Sequence, residues 1–150
     1  MYIMASTLDQ PQHNVSFEHQ RQLAKLLAKE NIRVRQGNYK TAFFDVKNRV
    51  LGLPTWNLED KSVSDLLVGH EVGHAHWTPE DGITRYHDRF GKEAPFDIAN
   101  VVEDIRIERK ILAAFPGLVS SFTKGYTYLR ENDFFKLKDR KIEDLNFLDR

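Results

Sequence analysis

Two histidines and a glutamate carry the most specific chemistry in this chain, in the run His70-Glu71-Val72-Gly73-His74. On an α-helix, residues i and i+4 lie on one face about one turn apart. Two imidazoles so placed can reach one cation at roughly 2.0–2.1 Å per bond. Glu71 follows His70 by about 100° of helical rotation, so it flanks the ion and acts on water instead of binding the metal. The chemistry implied is metal-assisted hydrolysis. Accident is a poor explanation, because composition alone would produce the pattern roughly 0.016 times in a chain of this length. The bland alternative, two satisfied core histidines beside a solvated glutamate, also ignores where the motif falls, in mid-helix on an apolar stripe.

A catalytic zinc site usually takes three protein ligands and leaves the fourth place to water. The third ligand must come from elsewhere, and the chain has no cysteine, so it is His or carboxylate. Trp77 stands where a Gly-x-x-His extension would need its glycine. About thirty residues downstream runs Asn100-Val101-Val102-Glu103-Asp104-Ile105-Arg106-Ile107-Glu108. Glu103, amid Val101, Val102, Ile105 and Ile107, is expected to point inward as the third ligand, since a buried glutamate needs a partner. Asp104 and Glu108, one turn apart, are expected to orient a ligand imidazole. Taken alone, this cluster would read as a charged outer face with pairs near Arg106 and Arg109. The donor for a developing oxyanion is open among Tyr126, Tyr128, His87 and Arg106. His76 falls about 200° from His74 and reads as structural.

The elements that must position these groups follow from periodicity. Met1 to Val15 is polar and irregular and is expected to be a mobile arm. Ser16 reads as an N-cap for a helix running to about Asn31. Ile32–Val34, Thr41–Val46 and Arg49–Leu53 read as three short antiparallel strands, the last two a hairpin turning at Lys47-Asn48. Gly52 and Pro54 suggest that the last arm is an edge strand. From Asp60 the period becomes helical: Val63, Leu66, Leu67, His70, His74 and Trp77 share a stripe, with Ser62 and Asp65 as a capping pair. Pro79 stops that helix, and residues 80–94 read as a loop. A second long helix opens at Pro95 or Phe96 and runs to about Ala114, where Pro116-Gly117 end it. Leu118 to Glu131 reads as helix, and Phe134, Phe135 and Leu137 as a last short apolar segment. Ile142, Leu145, Phe147 and Leu148 form an apolar face that suits either an ordinary C-terminal helix or the start of a longer chain. Gly73 within the active helix implies close approach of a neighbour. Trp77 and Phe96 read as core; Phe43, Phe44, Phe134 and Phe135 read as core or as an exposed pair lining a substrate groove.

The stretch HEVGHAHWTP, with NVVEDIRIERKI and FPGL after it, resembles the gluzincin class of zinc metallopeptidases. It is more similar still to the phage and bacterial metallopeptidase-like segment that often precedes a von Willebrand A-type domain. The resemblance covers roughly Leu66 to Leu118. It implies a zincin-like α+β fold, with a small antiparallel sheet and hairpin packed on the HExxH helix, then a glutamate-bearing helix and C-terminal helices. It also implies Zn2+ held by His70, His74 and Glu103, with Glu71 as general base. A von Willebrand A-type domain would be a partner or lie beyond Arg150. By analogy of fold, an edge strand would pair with extended substrate, a role open to Arg49–Leu53.

Composition narrows the rest. The 150 residues suit a single domain over 16–150, with room for a real core, given 41% hydrophobic residues. Twenty-two Lys plus Arg balance 22 Asp plus Glu, so no global field draws the chain to nucleic acid or anionic membrane. No apolar run reaches membrane-spanning length, and Met1 to Gln10 lacks the features of a secretory signal. The expected setting is cytoplasmic, the host cytoplasm if phage-encoded. The expected function is a zinc metallopeptidase acting on protein or peptide through a metal-bound water activated by Glu71. The alternative is a zinc-binding scaffold with weak or no catalysis that serves protein–protein contact.

Overall fold

A computed structural model describes residues 17–55 and 60–134. The arm at 1–15, the Ser16 cap, Phe135, Leu137 and the apolar face from Ile142 to Leu148 lie outside the described residues. Among the described residues, five helices and one three-stranded sheet make an α+β fold. The chain order is α1 (Phe17–Ala28), β1 (Arg33–Gly37), β2 (Phe43–Asp45), β3 (Val50–Pro54), α2 (Lys61–Trp77), α3 (Gly82–Phe90), α4 (Phe96–Ala114) and α5 (Leu118–Glu131). Among the described residues, no helix is long and apolar enough to cross a membrane.

The sheet is mixed, in place of the antiparallel one expected. Its order is β1-β3-β2, with β3 parallel to β1 and antiparallel to β2. The arm expected at an edge is therefore the central strand. Gly52 is the reason it can be: a Cβ there would lie 2.2 Å from the Phe43 ring, so the missing side chain makes room for that ring. Pro54, lacking an N–H, ends the strand, where the loss of a ladder bond costs least. The hairpin turn spans Val46–Arg49 and is closed by Asp45, which accepts the Asn48 backbone N–H at 2.9 Å and its side-chain amide at 2.8 Å.

Helix α2 is the hub, touching α1, β2, β3, α4 and α5. Its N-cap is Asp60, whose side chain accepts the Ser62 N–H at 2.6 Å. The expected Ser62–Asp65 cap does not form, because Asp65 is buried and occupied by Lys61, His19 and Ser121. Leu66, Val68, Val72, Ile111, Leu118 and Phe122 join Leu27, Leu51 and Leu53 in one apolar core. At Gly73 an added Cβ would come within 2.8 Å of Ile107, and this is the close helix approach that the glycine implies. His76 sits clear of the site, bonded through Nε2 to the Leu27 carbonyl at 2.8 Å, which ties α2 to the end of α1.

Residues 82–90, expected as loop, form helix α3. Ile83, Tyr86 and Phe90 recur at i, i+3, i+7, a helical signal hidden by the flanking Pro79, Gly82 and Gly91. None of its residues is buried. It is held by Tyr86 and His87 packing on Phe96 and by the Tyr86 hydroxyl donating to the Pro95 carbonyl at 2.9 Å.

Candidate metal centre

The site is built on two antiparallel helices. His70 and His74 project from one face of α2, and their Nε2 atoms are 3.3 Å apart. From α4, Asp104 brings its Oδ1 to 3.1 Å from His74 Nε2 and 3.6 Å from His70 Nε2. An ion bound tetrahedrally at about 2.0–2.1 Å per bond spaces its ligand atoms about 3.3 Å apart. Two nitrogens and a carboxylate oxygen at these separations fit that polyhedron, with the fourth corner left over.

The other imidazole nitrogens are spoken for. His70 Nδ1 lies 2.7 Å from Glu108 Oε1 and must donate to it, because a carboxylate only accepts. The Tyr126 hydroxyl donates to the same Glu108 oxygen. His74 Nδ1 lies 2.8 Å from Thr78 Oγ1. That hydroxyl spends its own proton on Glu103 at 2.6 Å, so it accepts from His74. Both rings thus carry hydrogen on Nδ1 and aim a lone pair from Nε2 at the same point. Two lone pairs and a carboxylate converging without a cation would repel one another. Without a metal, His70 meets the demand with a proton. Burial presses its pKa down, but hydrogen bonds to Asp104 and Glu108 prevail and raise it to about 10. Asp104, partly buried, is nevertheless held well below the usual carboxylate range by the two imidazoles.

Glu71 sits beside this trio and is buried, at 8% exposure. Burial pushes its pKa up, while His70, His74 and a hydrogen bond from the Phe44 backbone N–H pull it down. It is therefore a carboxylate short of solvation, held by the edge strand β2 next to the converging ligand atoms.

The structure brings Asp104, not Glu103, to the two imidazoles. Glu103 accepts two bonds from Arg106, both at 2.7 Å, and one from Thr78, and these hold its pKa low. It touches the site only through Thr78. Of the four apolar neighbours from which an inward Glu103 was expected, Val101, Val102 and Ile105 are exposed and only Ile107 is buried. The face of α4 that packs on α2 carries Ile107 and Ile111, and Asp104 and Glu108 share it at i, i+3, i+4 and i+7. Glu108 lies against His70 Nδ1, whereas Asp104 lies against the two Nε2 atoms. Thr78, which no sequence argument singled out, lies one turn after His74, and that spacing was its signal.

These groups open into a cleft of about 1250 Å³. One wall is β2 with its flanking residues 41–47; the other is α3 with the start of α4. Trp77, Phe96, Phe43 and Phe44 line it; Trp77 and Phe44 are half buried and pack against the core as expected, Phe96 is half buried, and Phe43 is exposed. Of the four proposed oxyanion donors, only Arg106 reaches the cleft, and it is committed to Glu103 and to the Trp77 carbonyl at 2.6 Å. Comparison with protein-family models, with curated proteins and with solved structures returns no match.

Proposed function

We propose that this chain is a zinc-dependent peptidase of the HExxH type, with His70, His74 and Asp104 as ligands and Glu71 as general base. The observation that carries the reading is the triangle of atoms at 3.3, 3.1 and 3.6 Å, with each imidazole's Nδ1 engaged by Glu108 or Thr78 so that Nε2 is the nitrogen left for an ion. Zinc bound there would supply Lewis acidity, polarising a substrate carbonyl and making water more acidic. Glu71 takes the proton of the attacking water and passes it to the leaving amine, so one carboxylate serves first as base and then as acid. Its burial favours that role by raising its affinity for the proton. Glu108 and Thr78 hold the two rings in register, with Tyr126 and Glu103 holding those holders in turn.

Extended substrate would lie along β2, the edge strand that lines the cleft, in the role that the sequence suggested for Arg49–Leu53. A zincin-like arrangement, hairpin edge above an active helix, is part of this proposal and rests on analogy of fold. Glu71→Gln tests it. The variant should retain zinc and lose about 10²–10⁴-fold in peptide cleavage. A variant as active as the parent would overturn the assignment. A zinc-loaded parent that cleaves nothing in a broad peptide library would favour the scaffold reading.

A further inference from the structure

The cleft is not chemically uniform, and its far wall says what it would accept. Helix α3 contributes Ile83 and Phe90, at 58% and 60% exposure. The same helix lines the cleft with Arg85 and Arg89, one turn apart. Arg89 stacks its guanidinium 5.6 Å from the Phe90 ring centre and has no carboxylate partner among the described residues. Arg85 makes only an exposed 3.4 Å pair with Asp81. Lys47 also lines the cleft, but it sits beside Asp45 and is offset by it.

The acids of the cleft do not answer these charges. Glu71 and Asp104 belong to the metal centre. Glu103 is neutralised by Arg106, and Asp45, hydrogen-bonded to Asn48, offsets the neighbouring Lys47, so the arginines of α3 are what remains. Glu80 is left as the one lining carboxylate with no hydrogen-bonded or ionic partner among the described residues. Two arginines on an apolar, aromatic wall are suited to a carboxylate beside a bulky side chain, because guanidinium pairs with carboxylate in a planar fork and tolerates an aromatic neighbour. The volume, about 1250 Å³, also exceeds the roughly 300–1000 Å³ of ordinary small-molecule pockets and suits a length of polypeptide.

We propose that the site takes acidic polypeptide segments, in which a Glu or Asp lies next to a bulky apolar residue, with α3 reading the acid through Arg85 and Arg89. This rests on the peptidase reading for the position of the scissile bond, but the charge preference can be read without cleavage.

The experiment uses two fluorescent peptides, identical except for Glu or Lys beside a central Phe. Their binding to zinc-loaded Glu71→Gln protein is measured by anisotropy at low and high salt. The Glu peptide should bind about three- to tenfold tighter, and the gap should narrow at high salt. In the Arg85→Glu/Arg89→Glu variant the order should invert. No residue of α3 is buried, so this variant should fold, and an unchanged melting temperature checks that. Equal binding of the two peptides, or a preference that survives the charge reversal, overturns the inference. Cleavage of the same peptides by the parent protein separates the two claims. Cleavage without charge preference sinks this inference and leaves the peptidase. Charge-selective binding without cleavage does the opposite, and no binding of either peptide sinks both.

Discussion

Replacing Asp104 by Ala should weaken zinc binding far more than replacing its neighbour Glu103, and the structure sets the scale of the difference. A structural zinc ion with four protein ligands is held by about 10–16 kcal/mol at neutral pH, or about 2.5–4 kcal/mol per ligand. At 1.4 kcal/mol per factor of ten, losing one ligand costs about 10²–10³-fold in affinity. The Asp104 side chain is 45% exposed, so water can enter the vacated place, and the low end, about 10²-fold, is expected. Glu103→Ala removes the partner of Arg106 and the acceptor behind Thr78, the latter two hydrogen bonds away from the ion. Partners that directly orient a ligand are worth about 10–100-fold, and one step further out the loss should stay below about tenfold. Competition against a chromophoric chelator reads both affinities, with the melting temperature of each metal-free variant as the control for folding. Should Glu103→Ala lose as much affinity as Asp104→Ala, the ligand assignment drawn from the geometry is wrong.

Zinc and protons compete for His70. Because its pKa in the metal-free protein is raised to about 10, a proton occupies the site at neutral pH and must leave when metal enters. Affinity should therefore rise about tenfold per pH unit between about pH 6 and 8, and a pH-independent affinity would contradict the hydrogen-bonding scheme. The same raised pKa stabilises the metal-free fold below His70's unfolded value near 6.5, and that contribution disappears as pH climbs through about 10. At Gly73, Ala should be close to neutral: its Cβ meets the tip of Ile107 at 2.8 Å, and the gain in helix propensity, up to ~1 kcal/mol, offsets the shift. Val should cost about 1–3 kcal/mol by overpacking, read as a lower melting temperature, and a Val variant as stable as the parent would mean that α2 and α4 are not in close contact.

The helices were legible where apolar spacing and breakers agreed. Pro79 and Pro116-Gly117 bound α2 and α4 as expected, and α5 spans the predicted residues. Helix α3 was lost because Gly and Pro at its flanks outweighed three well-spaced apolar residues. Strand order was not legible, since a five-residue strand carries no mark of which neighbour it pairs with, and Gly52 signals an edge and a close ring contact alike. At the site, the spacing of His70, Glu71 and His74 was sufficient, because i and i+4 on a helix determine their own geometry. The carboxylate that meets the two imidazoles comes from α4, where apolar residues occupy two faces. Ile98, Val101, Val102 and Ile105 lie on the exposed side, and Ile107 and Ile111 on the buried one. Periodicity alone does not say which face packs, and the choice between Glu103 and Asp104 turned on that.

The central claim is that His70, His74 and Asp104 enclose one divalent ion. X-ray absorption at the zinc edge of the zinc-loaded protein tests it most directly. The account predicts one zinc per chain, with about two imidazole nitrogens at roughly 2.0–2.1 Å and carboxylate oxygen in the same shell. Protein that takes up no zinc, or a spectrum showing only water oxygens around the metal, would contradict it.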